Sequence, residues 1–285
     1  MFEHQYAVVN GIRLHYVTAG TGPTMLFLHG FPEFWYAWKD ILAAFSADHQ
    51  VVAPDLRGYN LSDKPENVGD YTMPHLVGDV RGLLDQMSPG QPAILVGHDW
   101  GGVVAWAFAM AHPEYLEKLV IINAPHPAVF ARELAANPAQ QQAVGYMSTL
   151  RDARAETLLS ADNYAALGQM LVGTASRPDA FSDDDRVAYH AAWAQPGALT
   201  SALNYYRANA LGGPPSADSP PASALTVHVP TLVIWGEQDR ALLTGNLTGL
   251  DQFVPQLQIK RILTGSHWVV HEEPEAIART IREFL

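Results

Sequence analysis

Two short runs open the chain, Tyr6 to Val9 and Ile12 to Thr18, each alternating apolar and polar positions around Asn10-Gly11. Alternation of period two predicts half-buried strands, and Asn-Gly between them predicts a hairpin turn. The pattern then changes to continuous apolar runs followed by segments of helical period. Met25 to Leu28 precedes a helix over about Trp35 to Ala47, and Val51 to Ala53 precedes one over about Pro74 to Met87. Ala93 to Val96 precedes a helix from Trp100 to about Ala111, and Leu119 to Ile122 closes the series. Strands apolar on both faces, alternating with helices, predict an α/β class fold with a mostly parallel sheet covered on both sides. The rhythm stops from about Pro127 to Ala224, an Ala-rich stretch of helical pattern. Its last part, Gly212 to Pro221, has the composition of a linker. The rhythm resumes with Thr231 to Trp235, Leu257 to Ile262 and a helix from about Pro274 to Phe284. We therefore expect one core domain, 1–127 and 225–285, with residues 128–224 as a helical cap and a Pro-rich return linker.

Composition narrows the function. At 285 residues with 48% hydrophobic and 16% charged positions, the chain suits a globular protein with a substantial core. It has no cysteine, which excludes a disulfide framework and a thiolate metal site. A net charge of −12 disfavours a nucleic-acid partner. No basic leader with a long apolar run stands at the start and no spanning segment follows, so no membrane partner and a cytoplasmic location are expected. The histidines are scattered without a ligand motif, so neither a metal nor a cofactor is expected.

The chemistry is concentrated where strands end. Gly97-His98-Asp99-Trp100-Gly101-Gly102 lies between a strand and a helix, with glycines two residues either side of Asp99. This is the spacing of a nucleophile elbow, in which crowded backbone requires small neighbours. Aspartate in the central place suits attack on an alkyl carbon bearing a leaving group and would leave an ester on the enzyme. A free carboxylate is already ionised at neutral pH (reference pKa ~3.9), so a base is expected only for the water that releases the ester. His267, after the last strand, is the candidate base. Asp239, after the preceding strand, is the candidate orienting acid, with Glu237 as its rival. The bland alternative to His267 is His271, as a helix-flanking surface residue. His29-Gly30-Phe31-Pro32 follows the first long apolar strand. The N–H groups of Phe31 and Trp100 are the expected oxyanion donors for the tetrahedral oxygen of the Asp99 ester. Phe34, Trp35, Tyr36 and Trp38 fall at helical spacing, which suits a pocket wall and core packing equally. Trp35 and Pro32 are assigned to substrate binding.

Taken together, His29-Gly30-Phe31-Pro32, Asp55-Leu56-Arg57-Gly58, the Asp99 elbow, Asn123-Ala124-Pro125-His126-Pro127, Trp235-Gly236-Glu237-Gln238-Asp239 and Gly265-Ser266-His267-Trp268 resemble a soluble epoxide hydrolase of the α/β-hydrolase superfamily. The resemblance spans nearly the whole core and implies an α/β-hydrolase fold with a cap. It also implies two cap tyrosines that grip the epoxide oxygen: Tyr206, in Asn204-Tyr205-Tyr206-Arg207, and Tyr146, in Gly145-Tyr146-Met147. Asn60 departs from the pattern, since relatives often carry glycine there. The expected partners are a small apolar epoxide and water. Haloalkane or haloacid dehalogenases share the aspartate nucleophile and stand as the alternative. Phe31 lacks the side-chain donor that many haloalkane dehalogenases place there for halide, and Trp100 stands where fluoroacetate dehalogenases tend to carry arginine. A hydrolase-fold receptor with little turnover is a further alternative, disfavoured by the complete set of nucleophile, acid and base.

Overall fold

The computed structural model describes residues 2–209 and 222–285. Most of the expected Pro-rich linker therefore lies outside the described residues. The hairpin forms from β1 (Glu3–Val9) and β2 (Ile12–Ala19), and Asn10 and Gly11 both take positive φ, 48° and 78°. That turn geometry matches the right-handed twist of the two strands. The remaining strands are β3 (Thr24–Leu28), β4 (Gln50–Pro54), β5 (Ala93–His98), β6 (Leu116–Ile122), β7 (Thr231–Gly236) and β8 (Leu257–Ile262). They join one sheet in the order β1-β2-β4-β3-β5-β6-β7-β8. Pairing is antiparallel from β1 through β4 and parallel for every pair from β4–β3 to β7–β8.

Burial follows the sequence pattern. Every residue of β3 and β5 is buried, as expected for strands covered on both faces, whereas edge strand β8 is largely exposed. Helices α1 (Lys39–Phe45), α2 (Met73–Met87) and α3 (Trp100–Ala111) connect the strands. Two apolar layers result. One packs Leu83, Val104 and Trp106 of α2 and α3 on one face of the sheet. The other packs Ile41, Phe45, Ile277 and Ile281 on the opposite face. The last two come from α11 (Pro274–Phe284), which follows the single-turn α10 (Val269–Glu272).

Between β6 and β7 the described chain adds only helical elements: α4 (Pro127–Ala136), α5 (Pro138–Ala143), α6 (Tyr146–Arg151), α7 (Ala155–Leu171), α8 (Asp183–Trp193), α9 (Ala198–Ala208) and short 3-10 turns. Helix α7 is broken at Asp162, Asn163 and Tyr164, whose φ values are positive. A capping box starts α8, where Ser182 and Asp185 satisfy each other's backbone N–H.

The connection after β3 leads outward to β4, and the connection after β5 leads the other way to β6. The carboxyl ends of β3 and β5 therefore open onto a crevice, the place where open α/β sheets bind ligands. Leu28 pairs with Gly97 across that crevice, so residues 29–31 and Asp99 emerge side by side.

Candidate active site

The turn from β5 into α3 forces Asp99 to φ 50° and ψ −123°. For a residue with a side chain this costs about 1–3 kcal/mol, which the surrounding packing must supply. Gly101 permits the turn, because a Cβ there would overlap the carbonyl oxygen of Leu28. Gly30 is needed for a different reason: its Cβ would fall on the Asp99 side chain.

The Asp99 carboxylate is held from both sides. The Phe31 N–H donates to its Oδ1 at 2.8 Å. The His267 Nε2 lies 3.4 Å from its Oδ2. Trp100, whose N–H is the second expected oxyanion donor, opens α3 immediately after Asp99. The Phe31 loop is braced by His29, whose Nδ1 donates to the Gly30 carbonyl at 2.9 Å and whose Nε2 accepts the Leu56 N–H at 3.0 Å. Burial pushes the His29 pKa down, in keeping with a neutral ring that donates at one nitrogen and accepts at the other.

His267 Nδ1 donates to Asp239 Oδ2 at 2.7 Å. Asp239 is buried and receives the N–H groups of Ala241 and Leu242 on Oδ1, both at 2.8 Å. The Asn123 amide donates to its Oδ2 at 2.8 Å. Burial opposes the Asp239 charge, but His267 and these donors outweigh it and hold the carboxyl below its ordinary range. Burial likewise opposes the His267 cation, and the carboxylates of Asp239 and Asp99 outweigh it, raising the pKa well above the usual imidazole value. Glu237 takes no part in this pair; its carboxylate meets Arg261 at 2.9 Å.

A cavity of about 390 Å³ opens over these groups, lined in part by Phe31, Asp99, Tyr146, Tyr206, His267 and Trp268. Tyr206 lies on α9, its ring edge-on to Phe31 at 5.3 Å and to Trp100 at 5.1 Å between centroids. Tyr146 begins α6. Burial raises the pKa of both phenols, and the Asp99 charge raises them further, so both stay protonated near neutral pH. The neighbouring Tyr205 turns away and donates to the Arg57 carbonyl at 2.9 Å.

Some expected site residues lie elsewhere. Trp35 is not in the cavity: it sits in a 3-10 turn on the far side of β3, packed edge-on against Phe2 and His4 at 5.9 and 5.5 Å. Pro32 is also outside it. It lines a separate void of about 20 Å³, and its carbonyl accepts the Trp193 indole N–H at 2.6 Å. Phe34 and Tyr36 stack on each other beside Tyr189, and Trp38 is fully buried under the sheet. His271 is no surface residue, since its Nε2 meets Glu33 Oε1 at 2.6 Å. Glu33 escaped the sequence analysis. It is buried, accepts the Tyr189 hydroxyl at 3.0 Å and faces His98 Nδ1 at 3.0 Å. His98 Nε2 in turn donates to the His267 carbonyl at 2.8 Å. Burial opposes the Glu33 charge, but His271 and His98 hold its carboxyl far below the ordinary range. Its place in the strand-end run His29 to Glu33 was the only signal in the sequence.

Comparison with known proteins agrees with this geometry. Residues 23–274 match the model of the alpha/beta hydrolase fold. Epoxide hydrolase 1 of Caenorhabditis elegans is 36% identical over 100% of this chain and 70% of its own. The chain belongs to the epoxide hydrolases of the α/β-hydrolase fold. An AB hydrolase superfamily protein of Bacillus subtilis, YfhM, is 41% identical over 99% of this chain and 97% of its own. A crystal structure of an epoxide hydrolase from Bacillus megaterium with an inhibitor superposes with a TM-score of 0.90 at 35% identity, covering 98% of this chain and 99% of the other. A variant of an epoxide hydrolase from the same organism, holding its product (R)-3-[1]naphthyloxy-propane-1,2-diol, gives 0.90 at 34% identity, with 98% and 99% covered. The reaction of this epoxide hydrolase is therefore the addition of water to a small-molecule epoxide. Among the described residues, no helix is long and apolar enough to cross a membrane.

Proposed function

We propose that this enzyme opens epoxides in two steps through an ester on Asp99. One Asp99 carboxylate oxygen attacks an epoxide carbon and the carbon–oxygen bond of the ring breaks. The oxygen that leaves with the electron pair takes a proton from the Tyr146–Tyr206 pair. In the second step His267 removes a proton from water, and the hydroxide formed attacks the carbonyl carbon of the ester. The tetrahedral oxyanion is stabilised by the Phe31 and Trp100 N–H groups. Its collapse breaks the bond to the alkyl oxygen, which takes the proton of the added hydroxyl and leaves as the diol, so Asp99 is a carboxylate again. The proton taken up by His267 passes back to the tyrosine that gave one in the first step. Asp239 keeps the imidazole in the tautomer that accepts a proton at Nε2. Helices α4 to α9 and the return to β7 act in this reading as a cap that carries the two acids, while residues 1–127 and 225–285 carry the nucleophile, base and oxyanion donors.

One observation supports this reading above the others. A carboxylate fixed by a backbone N–H at 2.8 Å and a histidine at 3.4 Å shares one cavity with two phenols that stay protonated. A halide needs no proton to leave, whereas an alkoxide does, so paired phenols suit an epoxide.

The test is the fate of Asp99 in the His267→Gln variant. Rapid quenching with an aryl glycidyl ether, followed by mass spectrometry, should find the substrate's mass on the peptide carrying Asp99, one equivalent per enzyme and without turnover. Asp99→Ala should show none. If His267→Gln blocks ester formation as fully as Asp99→Ala does, the division of roles is refuted.

A further inference from the structure

Glu272, the last residue of α10, is 2% exposed and takes no part in the chemistry described above. Its carboxylate is nevertheless met by four donors. Oε2 accepts the Ser266 N–H at 2.6 Å, and Oε1 accepts the Ser266 hydroxyl at 2.7 Å. Oε1 also accepts the N–H of Ser176 at 2.6 Å and that of Arg177 at 3.3 Å. The main-chain carbonyl of Glu272 accepts the Arg177 guanidinium at 2.9 Å. Ser266 immediately precedes the candidate base, and residues 176–177 follow α7, so one buried carboxylate ties the loop of His267 to the helical insertion.

Neighbouring contacts extend the same clasp. The Ser176 hydroxyl donates to the Thr264 carbonyl at 2.8 Å. The Trp268 N–H donates to the Ser266 hydroxyl oxygen at 3.1 Å, and the Trp268 indole donates to the Thr174 hydroxyl at 2.8 Å. Thr174 and Trp268 both line the substrate cavity. The residues on either side of His267 are thus pinned to the part of the insertion that forms the cavity wall.

We propose that Glu272 is a positioning residue for the water-attack step, fixing the Ser266–Trp268 loop against the insertion so that His267 faces the ester. The inference rests on the two-step reading above. Asp99 is aligned from elsewhere, by the β5–α3 turn and the Phe31 N–H, so the first step does not depend on this clasp. The site also requires an acceptor with no hydrogen of its own. A carboxylate satisfies all four donors, whereas an amide of the same shape turns an N–H toward one of them and leaves a buried clash of donors.

The experiment follows both steps by rapid quench with phenyl glycidyl ether in the wild type, Glu272→Gln, Glu272→Asp and Ser182→Ala. The last removes the capping box of α8 and serves as a control for stability alone. For Glu272→Gln we expect ester formation within about threefold of wild type and ester hydrolysis slowed by roughly 10–100-fold, the scale set by displacing a catalytic group by about 1 Å. Ester should accumulate, and Glu272→Asp should recover part of the hydrolysis rate. Ser182→Ala should lower Tm and leave the ratio of the two rates unchanged. If Glu272→Gln is not recovered folded, Ser266→Ala, which deletes one arm of the clasp, must slow hydrolysis more than ester formation. Equal slowing of both steps, or a lower Tm with an unchanged ratio, overturns the proposal. A wild type that turns over without any ester overturns the two-step reading and the proposal with it, whereas wild-type ester with an unaltered ratio in Glu272→Gln overturns the proposal alone.

Discussion

On the proposed mechanism, removing the hydroxyl of Tyr206 isolates the acid half of the reaction. Tyr206→Phe keeps the ring, which is 2% exposed and wedged edge-on between Phe31 and Trp100, so packing should survive. Loss of one hydrogen-bonding group should cost the fold no more than about 1 kcal/mol. The kinetic cost is larger, because the hydroxyl is asked to donate where negative charge develops. One such donor in a water-poor site is worth about 2.7–4 kcal/mol, or roughly 10²–10³ in rate. Tyr146 lines the same cavity and also remains protonated, so it should supply part of the missing donation and keep the single variant near the lower end. Tyr206→Phe with Tyr146→Phe should lose the whole acid term, on the order of 10⁴-fold or more. The assay is single-turnover ester formation on Asp99, read by rapid-quench mass spectrometry, with hydrolysis of preformed ester measured separately. Ester formation unchanged in both variants, or hydrolysis slowed as much as formation, would refute the assignment.

Further outcomes follow from the same geometry. Gly30→Ala places a methyl group on the Asp99 side chain and should slow ester formation by roughly 100-fold or more, measured in single turnover, with binding of a substrate-like amide little changed. Asp239→Asn leaves the shape of the pair intact but lets the imidazole take the wrong tautomer, so ester hydrolysis should fall by about 10³–10⁴-fold while ester formation persists in the same assay. In Asp99→Asn one of the two carboxylates that raise the His267 pKa is gone, and NMR titration should find that pKa lower than in the wild type. His126 is pushed down to about 4 by burial, although its Nε2 donates to the Leu225 carbonyl at 2.9 Å. Its folded pKa thus lies below the unfolded value, so stability is complete above about pH 6.5 and falls as pH drops toward 4, by about 3 kcal/mol. Denaturant unfolding at pH 7 and pH 5 should show His126→Gln with a smaller acid penalty than the wild type, and equal penalties would remove His126 as its source.

The α/β rhythm was legible because strands covered on both faces carry continuous apolar runs, and β3, β5 and β7 are buried along their whole length around such runs. Asp99 and Asp239 were legible because each stands just past the end of such a strand, and His267 because it follows the last strand of the series, the edge strand β8; at all three places topology delivers a side chain to the crevice. Tyr206 was legible only through the family resemblance. Tyr205 beside it is equally aromatic and equally helical, and only the rotation of the helix sends one hydroxyl toward the cavity and the other to Arg57. Trp35 failed for a related reason. Helical spacing tells that a face is apolar but not whether that face meets a cavity or the back of a sheet, and the ring found Phe2 and His4. Glu33 was hidden because its partners are distant in sequence, His98 by 65 positions and His271 by 238. No local period records a contact of that kind.

If Asp99 and His267 act as proposed above, charge explains why an aspartate nucleophile and a histidine base can share a site without competing. In the resting enzyme His267 faces two carboxylates, and their combined field favours its protonated form over the cost of burial. An imidazolium cannot take a proton from water, so in this reading the field of free Asp99 works against the base. In the proposed first step the Asp99 carboxylate attacks without help from a base, and forming the ester removes its charge. That loss takes away one of the two fields holding the proton on His267, and the imidazole becomes easier to deprotonate when the ester awaits water. Asp239 remains, which keeps the ring oriented but no longer has Asp99 to reinforce it. On the proposed mechanism the nucleophile thus biases the protonation of the base through a contact of 3.4 Å. A serine in the same elbow, neutral before attack, would exert no such control over its histidine.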